Sequence, residues 1–437
     1  MSDSYYDALE QLFRAADADL RVNTAYPVFK EGFARYESPE DLFCGVEELS
    51  FYIHIPFCRQ LCSFCEYTRF AADDADEERY LDLLERQTEE FLAEHGGHIK
   101  KLYGLDIGGG TPTALSDAAF HRLMELQKRL CTRFAKVTGF RKSIEGTFAT
   151  LADTKPEMIA QYGFRRLSVG LQSTNASILR ENGRSTETED EMLHVRQKAA
   201  DAGVRRFNID VMYGLPHLTD EDIRETAKTL CRLAPEEVTL YETRFNRTRA
   251  DAAGITRETQ YRQYSIYYEL LTAAGYHGRF GRNTFTRCRG EIGVSDYLKY
   301  RMTYNIPYKG FGVSAQSMSG RGLSYGSLKN SASRKLPPIG RICEEHNYRL
   351  PPEELAAKYV SIAMYAGEFR LDVLRNILGR DPFEAYLEPM DYLFENGFVT
   401  QTGDVLRLTE KGFRYYGAIS SLFWSRGQQE RLLQDRT

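Results

Sequence analysis

The sequence is short of several things at once. It holds one tryptophan, and no run approaches the roughly 18 consecutive apolar residues of a membrane span. Its start, MSDSYYDALEQLF, is acidic and lacks an apolar signal core, so secretion is not expected. Basic residues are not in excess: 57 Lys and Arg face 62 Asp and Glu, a net charge of −5. That argues against a generally basic nucleic-acid binder, though not against a local basic patch. No internal repeat, low-complexity tract or heptad array is present, no histidine pair has metal-ligand spacing, and no Ser-His-Asp or Cys-His arrangement stands out. With 42% apolar residues over 437 positions, the chain can bury a sizeable core. The expectation is a cytoplasmic protein of two domains, one of them large.

Short β-type runs at 49–56, 102–107, 142–147, 166–171, 205–212 and 237–242 alternate with helical patterns at 77–94, 118–134, 188–202, 221–233 and 259–274. Such alternation implies right-handed βαβ units, a parallel sheet and a partial (β/α)6 barrel, with chemistry at the C-terminal ends of its strands. Three regions follow: an N-terminal extension over 1–48, the barrel over 49–290, and a mostly helical C-terminal domain over 291–437. In the last, helices near 353–369 and 383–396, a strand pair near 399–408 and a helix from 410 read as winged-helix-like. No dense basic stripe lies along one helix, so this domain is expected to be a lid or dimer surface rather than a DNA reader.

Eight cysteines are the first chemical signal. Cys44, Cys131, Cys231, Cys288 and Cys343 are scattered and read as small buried hydrophobes, whereas Cys58, Cys62 and Cys65 crowd one loop after the first strand. A chain without a signal peptide does not call for a disulfide framework, so the cluster points to metal or redox chemistry. Zinc would usually draw four ligands from two places, and no local fourth ligand follows. Three thiolates in one loop suit a [4Fe–4S] cluster with one iron open to a non-protein ligand. His54, alternating with Phe51, Ile53 and Ile55, reads as a packed strand histidine.

With these motifs in order, the sequence resembles the radical S-adenosylmethionine (SAM) superfamily and, within it, the oxygen-independent coproporphyrinogen III oxidase-like family. The carriers are NTAYP (23–27), YIHIPFC (52–58), GGGTPT (108–113), SIE (143–145), GFRRLSVGLQ (163–172), NIDVMYGLP (208–216), GFGVSAQSMSG (310–320), FRLD (369–372) and LTEKG (408–412). The resemblance implies that Cys58, Cys62 and Cys65 hold the cluster and that SAM chelates its open iron. It implies that Gly109, Gly110 and Thr111 meet the methionyl group, with exposed N–H groups free for its carboxylate. Glu145, Gln172 and Arg184 would line SAM, Asp210 would hold a ribose hydroxyl or a second SAM, and Tyr52 and Phe64 would pack around cluster and adenosyl group. One or two SAM molecules, a flavodoxin- or ferredoxin-type reductant, and a monomer or homodimer are the implied cofactors and assembly.

The chain also departs from that family. Tyr67 stands where the oxidases carry a further cysteine, Gln316 where they carry isoleucine, and Arg244 where they carry alanine, the last two at the expected second-SAM pocket. The haem-chaperone relatives have His-Asn-x-x-Tyr-Trp; here Tyr304-Asn305-Ile306-Pro307-Tyr308-Lys309 lacks the histidine. The expectation is therefore a radical SAM oxidoreductase or methyltransferase acting on a tetrapyrrole or other sizeable conjugated substrate. Coproporphyrinogen oxidation and a haem chaperone are the alternatives. A cluster-sensing nucleic-acid binder ranks last.

Overall fold

The computed structural model describes residues 3–18, 26–27, 30, 32–36, 39–71, 73–245, 254–326, 332–333, 336 and 345–434. Residues 23–25 of the NTAYP motif, prolines 337–338 and Cys343 lie outside these. Six strands pair in parallel and in chain order: β1 Glu48–Ile55, β2 Lys101–Gly109, β3 Lys142–Gly146, β4 Phe164–Gln172, β5 Arg206–Tyr213 and β6 Glu237–Glu242. Each lies within a few residues of its expected run.

Helices Asp74–His95, Asp117–Thr132, Lys155–Gln161, Glu189–Ala202, Asp220–Leu233 and Arg257–Ala273 follow β1 to β6 in turn. Their starts are set by side chains that satisfy free helix N–H groups: Asp73, Ser116, Thr188, Thr219 and Thr256 each accept one, and Thr188 and Thr219 close capping boxes with Glu191 and Asp222. The short Lys155–Gln161 helix was not expected; its seven residues are too few for a periodic signal.

Parallel strands buried on both faces usually read as continuous apolar runs. These do not. Phe51, Ile53, Leu105, Ile107, Ile144, Leu167, Val169, Ile209, Val238 and Leu240 are all fully buried against the helices. Their alternates are Tyr52, Asp106, Ser143, Glu145, Arg166, Ser168, Asn208, Asp210, Glu237 and Thr239, so the inner face is polar. At its floor, Arg166 donates from Nε to Glu237 (2.7 Å) and from Nη1 to Ser143 Oγ (3.1 Å). Asn208 takes the Thr239 hydroxyl (3.0 Å) and donates to Ser168 Oγ (2.8 Å) and Asp210 (2.7 Å). Burial of Ser143, Arg166, Ser168, Asn208, Glu237 and Thr239 is tolerable because each of them finds a partner.

The sheet runs on in both directions. Thr284–Thr286 pairs antiparallel with β6. Beyond β1, Tyr308–Phe311 pairs in parallel with it and is followed by antiparallel strands Gln316–Ser319, Gly322–Gly326 and Glu345–Arg349. The chain then builds a second core from helices Pro352–Ala363, Leu371–Leu378 and Leu387–Glu395 and a three-stranded sheet of Glu368–Arg370, Val405–Leu408 and Val399–Thr402. The N-terminal helix Asp3–Ala18 packs into that same core. Its Leu9, Leu12 and Phe13 are buried, and Phe13 stacks on Phe398 with ring centroids 5.3 Å apart. Burial of each such side chain stabilises by about 1.5–3 kcal/mol, which ties the first helix to the far end of the chain.

Among the scattered cysteines that the structure describes, Cys131 alone is buried; Cys231 and Cys288 are partly covered and Cys44 is exposed. The expectation of a buried hydrophobe fails for Cys44, which follows the 3-10 turn Pro39–Phe43 while that turn's Leu42 and Phe43 fill the core instead. Among the described residues no helix is long and apolar enough to cross a membrane.

Candidate active site

A cavity of about 650 Å³ opens at the C-terminal ends of the six strands, and every site residue singled out from the sequence lines it. The cysteine loop forms one wall. Its base is a small three-stranded sheet in which Arg69–Ala71 lies between Phe57–Cys58 and Ala332–Ser333, pairing in parallel with both. Arg69, only 3% exposed, is folded back beneath the loop: Nη1 donates to the carbonyls of Cys65 and Tyr67 (2.9 Å each) and Nη2 to that of Cys62 (2.5 Å). Sequence reasoning passed over this arginine. A buried guanidinium that ties three carbonyls of one loop fixes the loop's course, because few other side chains carry several donors in a rigid plane.

Cys58 and Cys62 are each 8% exposed. Burial pushes the Cys58 thiol up to about 12, against the Thr111 hydroxyl that donates to its sulfur at 3.6 Å and the more distant Arg69 charge. Burial raises Cys65 as well, with Arg69 opposing. Such thiols stay protonated at neutral pH unless a cation replaces the protons. Among the described residues, no three His, Cys, Asp or Glu side chains gather as a single bound metal ion requires. Three thiols from one loop, facing an open cavity, match the donor set of a cluster with one iron left for another ligand.

The glycine run opposite behaves differently from expectation. Its N–H groups are not free: Gly109 donates to Glu145 Oε2 (3.0 Å), Gly110 to the Ile55 carbonyl (2.8 Å) and Thr111 to that of Phe57 (2.8 Å). The glycines serve close approach instead. A Cβ at Gly108 would lie 2.6 Å from the Glu145 carboxyl carbon, and one at Gly110 would lie 2.7 Å from the Phe57 carbonyl oxygen and 3.0 Å from Cys58 Sγ. The turn is thus pressed against both the cysteine loop and the acidic strand end.

Glu145 projects from β3 into the cavity, where the surrounding protein and the nearby Asp210 push its pKa up to about 7 against the Gly109 hydrogen bond. Burial raises Asp210 to about 6, opposed by Arg166 and by hydrogen bonds that include the Ser168 hydroxyl at 3.1 Å. Gln172 ends β4 with φ 73°, at a register shift between Gly170 and Gln172. That left-handed backbone is strained for a non-glycine residue, and a bulge of this kind re-aims the side chain. Arg184 donates to the Gly170 carbonyl and reaches Cys62 Sγ at 4.0 Å. Tyr52 stacks on Tyr297 at 5.7 Å, and Phe64 is buried beside the cysteines. His54 is buried, with its Nε2 3.3 Å from the Thr68 carbonyl; burial lowers its pKa to about 4, so it is the packed neutral strand histidine expected.

The departures from the family pattern also meet here. Tyr67 is 51% exposed, yet its solvent is that of the cavity. Arg244 pairs with Glu66 at 2.9 Å. Gln316 Oε1 accepts from Arg301 (3.2 Å) and from the Tyr308 hydroxyl (3.0 Å). Tyr304, at the position of the missing histidine, is 46% exposed and lies away from the cavity lining. The C-terminal part contributes Ile362, Met364, Tyr365, Phe413 and Tyr416, an apolar and aromatic wall. Asp106 was missed by sequence reasoning. It faces inward from β2, and burial pushes its pKa up to about 7; its signal was its inward place in the strand alternation.

Comparison with known proteins places this geometry. The model of the Radical SAM superfamily matches residues 52–230. The chain is 31% identical over 315 residues to the oxygen-independent coproporphyrinogen III oxidase of Salmonella typhimurium, a match covering 67% of this chain and 65% of that protein. It is 26% identical over 294 residues to the heme chaperone HemW of Bacillus subtilis, covering 64% and 74%. The solved structure of coproporphyrinogen III oxidase (HemN) from Escherichia coli superposes with a TM-score of 0.74 at 22% identity, over 92% of this chain and 97% of that one, and so shares the fold. The cofactors are a [4Fe–4S] cluster and SAM, and the three-thiol wall facing Glu145 and Arg184 fits both. On these matches the chain belongs to the radical SAM superfamily and, within it, to the oxygen-independent coproporphyrinogen III oxidase-like family.

Proposed function

We propose that this protein turns SAM-derived radical chemistry on a tetrapyrrole or another sizeable conjugated molecule, with methyl transfer from a second SAM as the outcome. The observation that carries the reading is one continuous cavity in which the cluster thiols and SAM-facing side chains share space with Tyr67, Arg244, Gln316 and an apolar C-terminal wall. When bound, the cluster supplies the electron that splits the sulfonium of SAM to give a 5′-deoxyadenosyl radical. The chain's own residues do the rest. Cys58, Cys62 and Cys65 would hold three irons. Ionised Glu145 would accept the SAM ammonium and Arg184 its carboxylate, charge-assisted contacts that set the sulfonium beside the cluster. Asp210, held by Ser168 and Asn208, would take a ribose hydroxyl. Tyr365, Phe413 and Tyr416 would keep water from the reacting carbon.

Tyr67 in place of the oxidases' extra cysteine supports a reaction other than plain porphyrinogen decarboxylation, and Arg244 and Gln316 give the second-SAM region a polar character. Coproporphyrinogen oxidation is the second reading, favoured by the identity to the Salmonella oxidase. A haem chaperone is the third, opposed by Tyr304. Mass spectrometry of a reduced, SAM-fed reaction with haem and porphyrinogens decides among them. Methylated product with S-adenosylhomocysteine supports methyl transfer. Loss of two carboxyl groups supports the oxidase, and tight haem binding without substrate-dependent 5′-deoxyadenosine supports the chaperone. The electron donor would be a flavodoxin- or ferredoxin-type protein acting on a monomer or homodimer.

A further inference from the structure

Four guanidinium groups line the large cavity, and they differ in how their charge is met: that of Arg69 is tied to the three loop carbonyls of Cys62, Cys65 and Tyr67. Arg244 has a carboxylate, Glu66, at 2.9 Å. Arg184 lies at the cluster side, against the Gly170 carbonyl and Cys62. Arg301, on helix Asp296–Tyr304, has neither. Its Nη1 donates to the Tyr297 hydroxyl (3.1 Å) and its Nη2 to Gln316 Oε1 (3.2 Å), while its Nε is buried without a partner. The guanidinium lies over the ring of Tyr308 at 4.4 Å and within 5.8 Å of that of Tyr297. Among the described residues no carboxylate lies within ion-pair distance of it.

An arginine cannot shed its proton to escape this situation. A permanent cation held in a protein cavity by neutral groups alone is costly unless something else supplies the counter-charge. The tyrosine faces and the Gln316 carbonyl oxygen fix the plane of the guanidinium and lower that cost, but they bring no net negative charge. The neighbouring wall is apolar, from Leu298, Met302, Ile362 and Met364. This is the pattern of a site for an amphipathic ligand: apolar surface for a body, one oriented cation for an anionic arm.

We infer that Arg301 anchors a carboxylate carried by the substrate, and that Gln316, Tyr297 and Tyr308 position it. The inference rests on the tetrapyrrole reading above and deepens it, since it requires a substrate with an anionic arm. A carboxylate could also come from the methionyl end of a second SAM, so the test separates the two.

The experiment measures binding of coproporphyrin III, which carries carboxylates, and of its methyl ester to anaerobically reconstituted, SAM-loaded enzyme, by absorbance titration. The expected result is tighter binding of the acid than of the ester by the unaltered protein. Arg301→Gln should lose about tenfold or more in affinity for the acid and little for the ester, with Arg301→Lys between them. Iron content per chain checks that each variant folds and loads. Equal binding of acid and ester by the unaltered protein, or equal losses for both in Arg301→Gln, overturns the anchor while leaving the tetrapyrrole reading standing. Failure of the unaltered protein to bind either compound overturns that reading and the anchor with it. If Arg301→Gln lowers the number of SAM molecules bound per cluster instead, the carboxylate belongs to SAM and the assignment to substrate is wrong.

Discussion

Arg69 gives the sharpest test of how the cysteine loop is organised. Three hydrogen bonds from one buried guanidinium fix the carbonyls of Cys62, Cys65 and Tyr67. Hydrogen bonds from a charged donor contribute about 1.5–3 kcal/mol each, although three on one group are not additive. Water from the cavity can reach part of the vacated space, so Arg69→Ala should destabilise the loop's closed form by about 3–5 kcal/mol. That raises the open population by roughly two to three and a half orders of magnitude. The assays are limited proteolysis within 59–68 of the cluster-free protein, and iron per chain after anaerobic reconstitution. Cleavage should accelerate and iron should fall well below the about four atoms that the cluster requires. Arg69→Lys should be intermediate, since an ammonium reaches one or two carbonyls but not three in a plane. An Arg69→Ala protein that resists cleavage and takes up its full iron would refute the idea that this arginine organises the loop.

Other outcomes follow from the same cavity. Replacing Cys58, Cys62 or Cys65 with Ala should abolish the visible cluster absorbance and all reductive SAM cleavage, whereas Tyr67→Ala should keep iron and lose turnover. If Tyr67→Ala also loses its iron, the three-ligand assignment is wrong. Gly110→Ala puts a Cβ 3.0 Å from Cys58 Sγ, so iron loading and SAM affinity should drop together; a variant with normal loading would mean the turn can move. Glu145 has a pKa raised to about 7, so it ionises mainly between pH 6 and 8. SAM binding, followed by calorimetry, should strengthen across that window, and Glu145→Gln should flatten the profile. The same raised pKa means the folded protein holds this proton more tightly than the unfolded chain does. Its contribution to stability therefore declines as pH rises from about 4 towards 7, and Glu145→Gln should remove that part of the melting-temperature slope.

The order of the six strands and of the five longer helices, the cysteine loop at a strand end and the polar alternation of the inner face were written in the sequence. They are local or periodic properties: side-chain direction in a strand repeats every second residue, and a helix cap lies beside the helix it starts. Ser143, Glu145, Ser168, Asn208 and Asp210 could be placed inside a barrel on that ground alone. What tertiary structure decided is which distant groups meet. The backbone donors of the glycine turn seemed available from sequence, yet the turn spends them on Glu145 and on the carbonyls of Ile55 and Phe57, because β2 ends against the cysteine loop. Arg69 sits just past the cluster motif with nothing to mark it until the loop folds over its head. Arg301 has no motif, and its lack of a carboxylate partner is a fact about a cavity built from many separate segments of the chain. The packing of the first helix into the last core is of the same kind. A short amphipathic helix carries no address in its own sequence, since its partner is chosen by shape across hundreds of residues; the partners of Arg69 and Arg301 are near in sequence, but which of them the guanidinium meets is set only once the chain has closed on itself.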